Sequence, residues 1–149
     1  SATGVIPRLI DMGVDPYLIA PTLRLAMAQR LVRTLCPGSG KSVPVEGSLK
    51  AWIEKEFADI PERFKKEIKI PAEVYEASPT ADCPNGTRGR MAVFEMLQMN
   101  REIENIIMKS PTEADIIKAA REQGMLTMRE DAILKAFQKL IPFEEVNKV

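Results

Sequence analysis

The segment Gly38-Ser39-Gly40-Lys41-Ser42 ends like a loop that cradles phosphate, and it follows an apolar stretch. That chemistry requires the spacing Gly-x-x-x-x-Gly-Lys-Ser and a helix opening directly afterwards, so that the helix N-terminus faces the phosphates. Leu35 stands where the first glycine belongs, and Val43-Pro44-Val45 is a poor helix opening. The segment reads as a plain loop. Cys36 and Cys83 are the two cysteines. Metal sites pair cysteines at Cys-x-x-Cys spacing, but Ser39 occupies the partner position after Cys36 and Thr80 the one before Cys83. Two thiolates do not complete a tetrahedral site, and the chain has no histidine to help. No structural zinc is expected, and both cysteines are expected as free thiols in a reducing cytosol. The missing histidine also removes Ser-His and Cys-His hydrolase mechanisms. No catalytic residue is expected.

Arginines are the remaining candidates. Arg88-Gly89-Arg90, following Asn85-Gly86-Thr87, can offer guanidinium groups to an anion, and Arg30 and Arg33 can do the same. The plainer reading is a glycine turn feeding a strand at Met91, with arginines on the surface. From Ala119 to Phe137, two short helical patterns meet around Gly124 and resemble a helix-turn-helix. Glu130 and Asp131 stand near the start of the second, where phosphates and base edges would lie. Helical packing is the better reading.

The elements that must carry these residues fall into three stretches. Val5–Ile10 is apolar, and Asp15-Pro16 signals a helix start. That helix is expected to run towards Gln29, with Leu18, Ile19, Leu23 and Met27 near one face and Pro21 bending or delaying it. Leu31–Leu35 closes the helix or forms a strand. In the middle stretch, Leu49, Trp52, Ile53, Phe57 and Ile60 recur at helical spacing, predicting a helix over Ser48–Asp59. Pro61 opens a more charged helical piece carrying Phe64 and Ile68. Val74-Tyr75 suits a short strand, Ser78–Gly89 a loop, and Met91–Leu97 a largely buried strand. Beyond residue 100, Ile103, Ile106 and Ile107 mark one helix, broken at Ser110-Pro111. Thr112 and Asp115 open a second, which Gly124 stops. A capping box at Thr127 and Glu130 opens a third, carrying Ile133, Leu134, Phe137, Leu140 and Ile141 and ending at Pro142. Phe143–Val146 suits a last turn.

At 149 residues, 45% hydrophobic and 28% charged, the chain suits a globular fold with one core or two small lobes. Its 21 Lys+Arg balance 21 Asp+Glu. That balance argues against a nucleic-acid binder and against a polybasic membrane anchor. No apolar run approaches the ~18 residues of a membrane span, and Ser1–Gly4 lacks the character of a signal peptide.

Taken in order, these residues resemble the ATPases of type II secretion and type IV pilus assembly. Thr3–Pro16, with Arg8-Leu9-Ile10-Asp11-Met12-Gly13, is similar to the family segment that follows its histidine box. Ala28–Pro37 resembles the Gln-Arg-Leu-Val-Arg-x-Leu-Cys-Pro signature. Gly86–Leu97 resembles the Arg-Gly-Arg…Phe-Glu-Leu-Leu element, in a shorter form. Ala119–Asp131 is similar to Ala-x-x-x-Gly-Met-x-Thr-Leu-x-x-Asp, and Glu144-Glu145-Val146 to the tail. The matches run collinearly over nearly the whole chain.

The resemblance implies an α+β, mostly α portion of a larger motor. Residues 1–36 would be the last helices and edge of a RecA-like core. Residues 37–90 would be an inserted lobe with a short strand or two, and residues 91–149 a strand and a C-terminal helical cap. Cys36, Ser39, Thr80 and Cys83 would occupy the four zinc-cysteine positions, two of them substituted. Retaining the insertion between Cys36 and Cys83 resembles assembly and secretion motors rather than retraction motors. The resemblance further implies a homohexamer on the cytoplasmic face of the inner membrane, working on a platform protein. ATP and Mg would be handled by a P-loop, acidic boxes and a histidine box absent from these residues, leaving this portion non-hydrolytic. Arg30, Arg33, Arg88 and Arg90 would be its candidates for nucleotide contact. A surface cut from its sheet, as along Leu18–Leu35, would favour dimers.

Two readings from other classes compete. A stand-alone interaction module would be supported by a start codon or an unrelated sequence before Ser1. A DNA-binding regulator built around Gly124 would bind duplex with strong salt dependence.

Overall fold

Asp15 accepts a hydrogen bond from the Tyr17 N–H at 2.9 Å, and Pro16 fills the first helical turn, where its missing N–H costs nothing. That start signal is realised in the computed structural model, which describes residues 1–109 and 111–149. The helices are α1 (Val5–Asp11), α2 (Pro16–Thr22), α3 (Gly47–Glu56), α4 (Glu62–Lys65), α5 (Arg101–Lys109), α6 (Glu113–Glu122) and α7 (Met128–Phe137). The strands are β1 (Leu25–Leu35), β2 (Lys41–Pro44), β3 (Glu73–Glu76) and β4 (Thr87–Gln98), and a 3-10 segment, Phe143–Lys148, follows α7. The class is α+β. Among the described residues β1 pairs with β4 and β2 with β3.

Two expectations about element ends and one about burial are corrected. The helix from Pro16 stops at Thr22 instead of reaching Gln29. Pro21 sits in the last turn with no N–H for the Tyr17 carbonyl, which weakens the helix there, and Leu23 turns extended, at φ −72° and ψ 117°. Leu31–Leu35 therefore takes the strand alternative, within β1. Leu18 and Met27 are exposed, whereas Ile19 is buried. The strand around Met91–Leu97 is half-buried: Val93, Glu95 and Leu97 point inward and Met96 outward. Helix α7 ends at Phe137, and Lys139 takes a positive φ of 62° before Pro142 is reached. The Ser110-Pro111 break lies partly outside the described residues, since Ser110 is not among them.

The chain divides into two compact units, and β1 and β4 each contribute to both. The first comprises Ser1–Ala28 and Glu95–Leu126. Ile103 and Ile107 lie one turn apart on α5 and are fully buried, together with Ile6, Ile19, Ile116 and Ala120. Asn100 opens α5 by accepting the Ile103 N–H at 2.9 Å. Thr112 opens α6 by accepting the Asp115 N–H at 3.3 Å. Gly124, at φ 88°, follows its C-terminus. Glu95, charged and only 6% exposed, accepts the Ala2 N–H at 2.6 Å.

The second unit comprises Gln29–Phe94 and Thr127–Val149. The antiparallel pair β2–β3 sets Lys41 opposite Glu76 and Val43 opposite Val74. Thr127 and Glu130 form the expected capping box on α7, with the Thr127 N–H donating to Glu130 Oε1 at 2.8 Å. The segment after α7 serves β1: the Leu35 N–H donates to the Leu140 carbonyl at 3.0 Å, and the Arg33 N–H to Glu145 Oε2 at 3.2 Å. The Phe94 N–H of β4 donates to Asp131 Oδ2 at 2.8 Å. Strand groups that would otherwise invite another chain are thereby satisfied within the unit. Trp52 packs edge-on against Phe143, with ring centroids 6.0 Å apart.

Candidate functional site

The Gly38–Ser42 segment is positioned by two glycines in the left-handed region, Gly38 at φ 73° and Gly40 at φ 113°. Its last two residues, Lys41 and Ser42, already belong to β2, so the plain-loop reading holds only for Gly38–Gly40. No helix N-terminus follows the Lys-Ser pair, so the geometry that would hold a nucleotide phosphate is not built here. Residues 41 and 42 instead face Glu76 and Tyr75 across the strand pair.

That pair carries a small polar cluster. Glu73 accepts hydrogen bonds from the Ser42 hydroxyl and from Tyr75 Oη, the latter at 2.7 Å. The Ser42 bond most strongly, then the Tyr75 bond, holds the Glu73 carboxyl below the usual carboxylate range, with a smaller attraction from Lys139. The same contact pushes the Tyr75 phenol above its ordinary value. Because the native Glu73 value is depressed, whatever stability it contributes is present above its unfolded value and is lost as pH falls through the native one. Tyr75→Phe is expected to move Glu73 back up towards its ordinary value. A carbon-detected NMR titration of its carboxyl would read this, and an unmoved midpoint would contradict the assignment.

The cysteine expectation is overturned. Cys36 and Cys83 are joined by a disulfide, their Cα atoms 6.6 Å apart, so neither is a free thiol. Two tight turns make the meeting possible. In the first, the Ser39 N–H and Oγ donate to the Cys36 carbonyl at 3.1 and 2.7 Å. In the second, the Thr80 N–H donates to the Cys83 carbonyl at 2.9 Å, and the Cys83 N–H to Thr80 Oγ1 at 3.0 Å. The Cys36 N–H donates to the Gly86 carbonyl at 3.1 Å, which joins the turns. All four zinc-like positions thus come together. Their donors do not suit zinc, because both sulfurs are spent on each other and both hydroxyls on backbone groups.

Gly86 is the hinge of this arrangement. Its φ is 72°, and a Cβ there would lie 2.6 Å from the Ser78 nitrogen. Backbone cannot yield as a flexible side chain does. Gly86→Ala is therefore expected to destabilise the second unit by about 2–3 kcal/mol, from the φ penalty and the clash together. Gly38→Ala has a positive φ but open space around it and should cost about 1 kcal/mol. Urea denaturation of the two variants side by side measures the difference, and equal losses would contradict the packing argument.

The four candidate arginines all lie on the paired strands, Arg30 and Arg33 on β1 and Arg88 and Arg90 on β4, and all are exposed. Arg30 reaches the Lys148 carbonyl at 3.4 Å, and Arg88 reaches the Asp82 carbonyl at 2.7 Å. Between Leu35, Cys36, Pro37, Arg88, Met91 and Lys139 opens a cleft of about 560 Å³. Sequence reasoning missed this cleft, because Lys139 enters it only through the left-handed turn after α7. It also missed Glu145, only 3% exposed, which takes the Arg33 N–H and pairs with Lys148 at 2.6 Å. A lone acidic residue in a tail gives no pattern that would mark it as buried. Among the described residues no group of three or more acidic, cysteine or histidine side chains could hold a metal ion.

The family model described as "Type II/IV secretion system protein" matches residues 1–148. The type IV pilus assembly ATPase PilB of Pseudomonas aeruginosa is 31% identical, over 100% of this chain and 25% of its own length. The type II secretion system protein E of Xanthomonas campestris pv. campestris is 33% identical, again over 100% of this chain and 25% of its own length. The type II secretion system ATPase E of Vibrio cholerae is 33% identical over 100% of this chain and 27% of its own length. The chain thus spans about a quarter of the length of these curated relatives. By its match along essentially every residue, the chain belongs to the type II/IV secretion system protein family.

Proposed function

We propose that this chain is the C-terminal portion of a hexameric ATPase that powers type IV pilus assembly or type II protein secretion. The observation that carries the reading is the family match over residues 1–148, in a chain whose single phosphate-loop-like segment opens a strand. ATP is bound with Mg and hydrolysed by other parts of the motor, and this portion alone is non-hydrolytic. Residues 1–36 belong to a RecA-like core, 37–90 form an inserted lobe, and 91–149 supply a strand and a helical cap. The assembled motor works against a platform protein at the cytoplasmic face of the inner membrane. Among the described residues no helix is long and apolar enough to cross a membrane.

Exposed apolar side chains support a role within a larger sheet. Leu25 and Met27 of β1 are 50% and 54% exposed, and Met96 of β4 is 50% exposed. Exposed apolar side chains on paired strands suit an association surface. The same surface favours dimers of this portion when it is alone. Sedimentation at high concentration tests this, and a single monomeric species would count against it.

The start of α7 supports the packing reading over the DNA-binding alternative. Glu130 is 1% exposed and locked into the capping box, and Asp131 is bound to the Phe94 N–H and to Lys135. The start of α7 is committed to packing. The coding sequence immediately before Ser1 tests the main reading. An in-frame phosphate-binding loop is expected, and a start codon or an unrelated sequence would overturn the proposal.

A further inference from the structure

We propose that the Cys36–Cys83 bond is a thiol–disulfide exchange site, opened from the adjoining cleft by a small anionic thiol. Three observations converge on it. The bond exists, although the partners are 47 residues apart in sequence, and it closes the chain around the lobe between them. Cys36 lines the cleft of about 560 Å³, and Cys83 does not. The cleft also carries Arg88 and Lys139, both exposed, and among the described residues neither makes an ion pair with a carboxylate. Lys139 Nζ rests 4.2 Å from the Tyr75 ring centroid and exerts a weak attraction on Glu73 without forming an ion pair with it, so most of its positive charge stays available.

The chemistry follows from this placement. A thiolate enters between two cations, whose field concentrates negatively charged reagents. Its sulfur attacks Cys36 Sγ, since Cys36 is the cysteine that lines the cleft. The Cys36–Cys83 bond breaks, a mixed disulfide forms on Cys36, and Cys83 leaves as a thiolate that takes up a proton. A second equivalent of the small thiol then attacks the mixed disulfide at the small thiol's own sulfur. Cys36 departs and the small disulfide is released, so two thiols are oxidised while one protein disulfide is reduced. Both cysteines are only 4% exposed, which makes access through the cleft the controlling feature. The ligand class is a monothiol carrying carboxylates. Opening the bond removes the covalent closure of the lobe, which makes the lobe responsive to the thiol poise of its surroundings.

The test uses glutathione, which is anionic, and 2-mercaptoethanol, which is neutral, on the purified oxidised protein. Reaction is quenched by alkylation and followed by intact mass and peptide mapping. The proposal expects the bond in the non-reduced protein and a transient glutathione adduct on Cys36. In the Arg88→Gln/Lys139→Gln variant, opening by glutathione should slow by about three- to tenfold while opening by 2-mercaptoethanol is unchanged. The neutral thiol also serves as the fold control, since a damaged variant would change both rates. Absence of the bond, inertness to both thiols, an adduct confined to Cys83, or an equal change in both rates would each overturn it.

Discussion

Replacing Cys36 and Cys83 together with serine is expected to destabilise the second unit by about 4 kcal/mol. The figure follows from loop-closure entropy across a 47-residue separation. Without the bond the unfolded chain regains the freedom that closure had removed, while the native turns at Ser39 and Thr80 keep their backbone hydrogen bonds. Against a total stability of about 5–15 kcal/mol for a domain, such a loss is large. Reduction of the wild-type protein should reproduce most of it. Urea denaturation of the oxidised, reduced and doubly substituted proteins measures the difference. Three superimposable curves would show that the bond does not constrain the unfolded chain.

Ile103→Ala should cost the first unit about 2–5 kcal/mol. Ile103 is 0% exposed and faces a cluster that includes Ile6, Ile19 and Ile116, so truncation both loses burial and leaves a cavity. Ile117 offers the control. It lies on α6 yet is 39% exposed, and Ile117→Ala should stay within about 0.5 kcal/mol of wild type. Amide hydrogen exchange would locate the effect, with protection falling first in residues 1–28 and 95–126. A comparable loss for both variants would contradict the assignment of α5 as the buried helix of this unit.

How far the sequence showed these features depended on the range of the signal. Local signals were readable. Asp15-Pro16, the Thr127–Glu130 capping box and Gly124 act over one helical turn, and each appears where its chemistry placed it. That no helix follows Gly38–Ser42 was legible for the same reason, since a proline and two β-branched residues come directly after it; the plain loop holds only to Gly40, because Lys41 and Ser42 already pair in β2. The stretch from Leu23, where a helix to Gln29 is expected and Leu31–Leu35 suits helix or strand, was harder. Its alternation of small, apolar and polar residues satisfies a helix face and a strand face alike, and only pairing with β4 decides between them. The disulfide was beyond local reasoning, because its partners meet only after the lobe between them has folded. Glu95 and Glu145 were hidden for a related reason. A buried carboxylate is defined by the distant N–H groups it accepts, here Ala2 and Arg33, and nothing near it in sequence announces them.

The candidate site was half legible. Cys36, Ser39, Thr80 and Cys83 were singled out together, and the structure brings them together, but as a covalent clasp instead of unlinked thiols. The arginines were singled out by type, and the structure leaves all four exposed on β1 and β4. Family membership extends along the entire chain, whereas the geometry of a phosphate cradle appears nowhere in Gly38–Ser42.

Equilibrium binding and turnover of Mg-ATP by the purified chain tests most directly whether the energy source lies outside these residues. The expected result is no saturable binding and no phosphate release above buffer, unchanged by Lys41→Ala. Saturable binding or hydrolysis that disappears in the Lys41→Ala variant would contradict the account.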